Sequence, residues 1–191
     1  MKRVSSLLII FAALAAVHMT RATTVIPPSF DQLVTQAQAI FQGTVTDVRS
    51  QWAGEGSQKQ IVSYVTFKVE DSLKGDAGES YTIRMYGGTV GEDSMGISDA
   101  PVFKVGDRDI VFVENNGSQA IPLVGIMYGR FHVQRDQSGQ DVVTRNEGEP
   151  VKNVANLGRE MEAAGPANPA EGNMTTDAFK AAVKNKLQPA Q

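Results

Sequence analysis

Few side chains in this sequence can do chemistry. The 191 residues include no cysteine and two histidines, His18 and His132. Thiolate nucleophiles, disulfides and thiolate metal sites are therefore excluded. His18 belongs to an N-terminal apolar stretch, so His132 is the one imidazole in the body of the chain. It alternates with Phe131 and Val133. On a strand that spacing turns it away from their side, toward the surface. A Ser-His-Asp site would have to use it, and no serine sits in a Gly-x-Ser-x-Gly elbow.

Carboxylates are the remaining acid–base groups. Glu92, Asp93 and Asp99 fall in one glycine-rich stretch, and Glu70-Asp71 form a second pair. Acid–base catalysis needs a carboxyl whose pKa has been moved by burial or by a neighbour. Polar loop surroundings supply neither, so these residues read as solvated charges. Their spacing lacks the alternating Asp/Asn ligands of a calcium loop. Gly87-Gly88-Thr89-Val90-Gly91 is not followed by Gly-Lys-Ser/Thr and reads as a bend, not a phosphate loop. The expectation is a chain with no catalytic residue, no metal site and no cofactor. Asn173-Met174-Thr175 fits a glycosylation acceptor.

The N-terminus reads as an export signal. Lys2 and Arg3 precede an apolar run over residues 7–17, and Thr20-Arg21-Ala22 offers small residues before a cut. The run is short of the roughly 20 residues a membrane helix needs. Cleavage is expected after Ala22, which makes residues 1–22 a signal peptide and the protein periplasmic or extracellular, without stable membrane insertion. Loss of Lys2, Arg3 and Arg21 leaves 15 basic against 21 acidic residues, a net charge of −6. That balance argues against nucleic acid, whose binding rests on neutralising phosphates. With no disulfide available, stability must come from a buried core.

The elements that position these residues are mostly strands. Ser29 and Gln32 form a capping box before a helix over residues 30–38, with Phe30, Leu33, Val34 and Ala37 on one face. Residues 40–49 read as a first strand bent at Gly43. A polar loop over 50–59 follows, with Trp52 folded over the end as a lid. Residues 61–70 are the clearest strand, because Val65, Phe67 and Val69 alternate with Tyr64, Thr66, Lys68 and Glu70. Gly75 closes it with a turn. A third strand spans 81–86. A long ordered connection over 87–109 leads to a fourth strand over 109–114, apolar on both faces. Asn115-Asn116-Gly117 predicts a tight hairpin into a long fifth strand, 121–133, bent at Gly125 and Gly129. Residues 141–144 read as an edge strand, 146–173 as a flexible linker, and 177–187 as a helix capped by Thr176.

The expected fold is mainly β. It is a five-stranded OB-like barrel over residues 23–145, with a short N-terminal helix and, after the linker, a C-terminal helix within 174–191. Gln38-Ala39-Ile40-Phe41-Gln42-Gly43-Thr44-Val45 resembles the first strand of netrin-like OB domains. Tyr64, Phe67 and Val69 followed by Leu73-Lys74-Gly75 resemble the second strand and its exit. The tissue inhibitors of metalloproteinases share this layout, as do cysteine-free exported bacterial proteins. In the inhibitors an N-terminal cysteine chelates the protease zinc through its amine and carbonyl. Here Thr23, Thr24 and Val25 stand in that position before Pro27-Pro28, and the family's disulfides are missing.

The functional expectation is an exported, non-enzymatic binding domain. Its recognition surface would be the N-terminal segment (Thr23, Thr24, Val25) and the long loop (Glu92, Asp93, Met95). The resemblance implies an alternative, a metalloprotease inhibitor or protease companion acting through the mature N-terminus. A carbohydrate site would need Trp52, Tyr64 and Tyr86 to come together beside paired carboxylates.

Overall fold

The computed structural model describes residues 26–158 and 172–188. The expected signal segment and Thr23, Thr24 and Val25 lie outside the described residues. None of the described helices is long and apolar enough to cross a membrane.

Helix α1 (Phe30–Gln36) begins with the capping box read from the sequence. Gln32 N donates to Ser29 Oγ at 3.3 Å, and Ser29 N donates to Gln32 Oε1 at 2.8 Å. The helix ends two residues before Gln38 because Gln38 N turns to Val113 O, 2.7 Å away, and joins the sheet. The strands are β1 (Ala39–Ala53), β2 (Gln60–Lys74), β3 (Ser80–Tyr86), β4 (Gly88–Val90), β5 (Asp93–Met95), β6 (Arg108–Val113), β7 (Arg130–Arg135) and β8 (Asp141–Arg145). Six of them form one antiparallel sheet in the order β3-β2-β1-β6-β7-β8, and β4-β5 is a separate hairpin.

Strand β1 is bent as Gly43 suggested. Register shifts fall between Ile40 and Phe41, Gln42 and Gly43, and Val45 and Asp47. A Cβ on Gly43 would sit 2.7 Å from Lys68 O, too close for any other residue.

Several expectations change. Trp52 is not in a loop, because β1 and β2 extend as a long hairpin past it. Trp52 pairs with Ile61 on β2, and Lys59 Nζ lies 4.4 Å from its ring centroid. It is therefore a strand residue with a cation on its face, not a lid. Asn115-Asn116-Gly117 does not make a tight hairpin, and the fifth strand is only β7. Residues 115–129 form an irregular excursion with one bridge, Val113 to Leu123, and left-handed backbone at Gly125 and Ile126. The cause is Asn116. Its Oδ1 accepts from Arg84 N at 3.0 Å, and its Nδ2 donates to Thr82 O at 2.9 Å, so its amide caps the outer edge of β3. Nearby, Tyr86 N donates to Ala120 O at 2.7 Å. Among the described residues no ladder of strands joins β3 to β7 or β8, so no closed barrel is formed by strand pairing.

Both faces of the sheet are buried. Ile40, Ile110, Phe112, Phe131, Val133 and Val143 pack against α1 and against helix α2 (Thr176–Leu187). Phe179 of α2 is the centre, 4.9 Å from Phe131, 5.9 Å from Phe30 and 6.3 Å from Phe112, ring to ring. The N-cap of α2 is Thr175, one residue earlier than expected; its side chain accepts from Ala178 N at 3.2 Å. Residues 146–158, read from composition as the start of a linker, bring Val151 and Leu157 into this core. One helical turn, Val154–Asn156, falls within them. The opposite face buries Phe41, Val45, Val65, Phe67, Ile83, Met85, Val111 and Val113. Alternate residues of β6 thus enter opposite cores, as an apolar run on both faces requires.

Candidate functional site

The connection between β3 and β6 covers the second core, and it is built on fixed points. At its start Gly88 has φ +127, and a Cβ there would lie 2.3 Å from the hydroxyls of both Ser50 and Ser63. Ser63 Oγ donates to Gly87 O at 2.7 Å and lies 2.8 Å from Ser50 Oγ. Only glycine lets the backbone approach these strand serines. The chain then folds back as the β4-β5 hairpin, and Ile61 N donates to Met95 Sδ at 3.4 Å.

The second half, residues 96–107, is pinned from below. Phe103 is buried edge-on against Phe67, 5.5 Å between centroids, and Arg130 Cζ stacks over its ring, 4.0 Å from the centroid. Arg130 is 2% exposed. Its Nη1 donates to Val102 O at 2.8 Å, and its Nη2 donates to Asp107 Oδ2 at 2.7 Å. Nε and Nη2 both donate to Asp109 Oδ2, at 3.1 and 2.9 Å. Asp109 is fully buried, and its other oxygen lies 2.8 Å from His132 Nδ1. Lys104 N donates to Asp107 Oδ2 at 2.8 Å. Gly106 N donates to Val45 O at 2.9 Å, and Val45 N donates to Asp107 O at 2.8 Å.

His132 is thus half-buried, on the wall of a recess, instead of fully on the surface. It does turn away from Phe131 and Val133, but that side is only partly wet. There it meets Asp109, and its Nε2 lies 3.3 Å from Asn146 O. A carboxylate only accepts, so Nδ1 carries the hydrogen toward Asp109.

Between its anchors the loop displays apolar side chains. Val102 is 73% exposed, Val105 66% and Ile97 39%; the other exposed large apolar residue among those described is Ile26, at 81%. Two recesses flank the loop and share Ala100 and Val102. One, about 310 Å³, is mostly apolar and reaches Val48, Val65, Met85 and Phe103. The other, about 440 Å³, is of mixed character and includes Asp99, Lys104, Asp107, Arg130, His132 and Glu147 in its lining. Pro27 and Pro28, just after the first described residue, border the same Arg130, Asn146 and Glu147.

The residues expected to form the site are placed unequally. Thr23, Thr24 and Val25 lie outside the described residues. Glu92 sits in the β4-β5 turn and Asp93 in β5, both exposed, whereas Met95 is half-buried against β2. The three do not converge on one ligand. Trp52 shares a face of the β1-β2-β3 ribbon with Ile61 and Ser63, while Tyr64 and Tyr86 lie on the opposite face, so the three aromatics form no common platform. No group of His, Asp and Glu able to hold a metal occurs among the described residues. The sequence reading missed the Asp109–Arg130–His132 network. Its signal was present as an aspartate in the apolar run Asp109-Ile110-Val111-Phe112-Val113, and as charges at alternate positions of β7. Compared with known proteins, the chain matches no family model, no curated protein and no solved structure.

Proposed function

We propose that this is an exported, non-enzymatic binding domain that recognises another protein through residues 96–105. The observation carrying the reading is the contrast within one loop. Val102 and Val105 are exposed, yet their backbone is held by Arg130, Phe103, Asp107 and Val45. Apolar side chains on a pre-ordered loop lose little conformational entropy on binding, which is how protein interfaces gain affinity. The scaffold is proposed to be an OB-like barrel of the netrin-like type. The bends of β1, and the meeting of β3 with Asn116 and Ala120 on the path toward β7, support it. The test is capture from the exported fraction by wild-type protein and by I97S/V102S/V105S. The reading expects a bound protein that the variant loses; identical captures would refute it.

One observation favours the metalloprotease-inhibitor alternative. Pro27-Pro28 and the 99–107 loop border one wall, formed by Arg130, Asn146 and Glu147. The start of the described chain and the loop thus border one wall, which a single partner could cover. This alternative expects a one-residue N-terminal extension to abolish inhibition of a metalloprotease. Unchanged inhibition would remove it.

A further inference from the structure

The apolar display is set in an acidic frame. Residues 88–107 contain Glu92, Asp93, Asp99 and Asp107 against one cation, Lys104. Across the larger recess stands Glu147. The recess also holds two cations: Arg130 is already committed to Asp107, Asp109 and Val102 O, and Lys104 alone is outnumbered by Asp99 and Glu147. His132 faces Asp109 and Asn146 O with its two ring nitrogens, so it offers no free N–H to an incoming anion. Asp99 and Glu147 make no ion pair among the described residues. A partner that covered Val102 with apolar atoms alone would strip water from these two carboxylates and give nothing back. An acidic partner would add like-charge repulsion.

Building on the docking reading above, we propose that the partner presents a basic–apolar segment. Its apolar side chains cover Ile97, Val102 and Val105, and one lysine or arginine enters the recess between Asp99 and Glu147. The recess, about 440 Å³ and open, gives the long side chain room. The interior core and the buried network stay unchanged in this scheme, since both acceptors are on the rim.

Two peptides test it, acetyl-Val-Leu-Arg-Val-Leu-amide and the same sequence with Glu in place of Arg, titrated into ¹⁵N-labelled protein at low salt. The Arg peptide is expected to shift amides in 97–107 and 146–148 and to bind on the order of tenfold tighter than the Glu peptide. In D99N/E147Q, whose amide spectrum away from the rim should be unchanged, that preference should fall to about twofold or less. Equal binding of the two peptides, tighter binding of the Glu peptide, or an Arg preference that survives D99N/E147Q would overturn the proposal. If neither peptide shifts this face while I97S/V102S/V105S still loses a captured protein, the docking reading stands and the basic partner is refuted.

Discussion

At the scale of single residues, Arg130 does most to shape the candidate surface. It joins the floor, Asp109 and His132, to the loop above, Val102 and Asp107. Removing one member of a buried ion pair leaves the other charge stranded, at a cost of about 3–5 kcal/mol. Arg130→Met is therefore expected to lower the unfolding free energy by about that amount in urea titrations. It should also speed amide exchange across residues 102–107; a loss below about 1 kcal/mol would mean the network is not a structural anchor. Residue-level reading of the sequence worked where pattern and environment agreed. Phe41, Val65 and Phe67 alternate and are buried, and Gly43 sits at a bulge. It failed at His132 because alternation separates two faces without saying whether the second is wet. Here that face is only partly wet, because Asp109 holds the ring and the loop packs on Arg130 two residues earlier, long-range facts no local pattern carries.

At the scale of elements, the two helices are docked covers, not independent units. α2 is only 12 residues long and would be marginal alone. Its place is set by Phe179, which contacts the rings of Phe30, Phe112 and Phe131. Phe179→Ala is expected to cost about 3–5 kcal/mol, as for a fully buried aromatic, and to loosen α1 and α2 together. Thermal unfolding followed by circular dichroism would detect both effects; an unchanged midpoint would show that α2 is dispensable to the core. Element boundaries were legible where the chain carries its own punctuation, as at the Ser29–Gln32 box and Gly75. The 115–129 segment was misread because Asn116-Gly117 normally signals a tight turn. The side chain of Asn116 is used instead to cap β3, and the competing partner lies on another strand.

At the scale of the whole molecule, the sheet is tied across its strands by charge. Arg108 on β6 donates to Asp141 on β8 at 3.0 Å and lies 3.8 Å from Glu70 on β2. The hydrogen bond from Arg108, with help from Arg135, holds the Asp141 carboxyl below its ordinary value of 3.8. A carboxyl with a depressed folded pKa stabilises the fold above its unfolded pKa and loses that contribution as pH falls through the folded one. The stability difference between wild type and Asp141→Asn should thus be constant near neutral pH and shrink below about pH 4. Urea midpoints across that range measure it; a difference that grew as pH fell would have the wrong sign. The acidic balance was read from composition, and the mainly β class from the alternation of apolar residues. How the sheet wraps was not, because Asn116 and Ala120 meet β3 through contacts far apart in sequence.

The central claim is that residues 96–105 form the face that meets a partner. The most direct measurement is site-specific photo-crosslinking in the producing cell, with a photoreactive amino acid at Val102 and, as control, at exposed Ser138 in the β7-β8 turn. The account predicts a discrete adduct from position 102, absent from 138 and lost when Ile97 and Val105 are also changed to serine. Adducts from neither position, or equally from both, would contradict it.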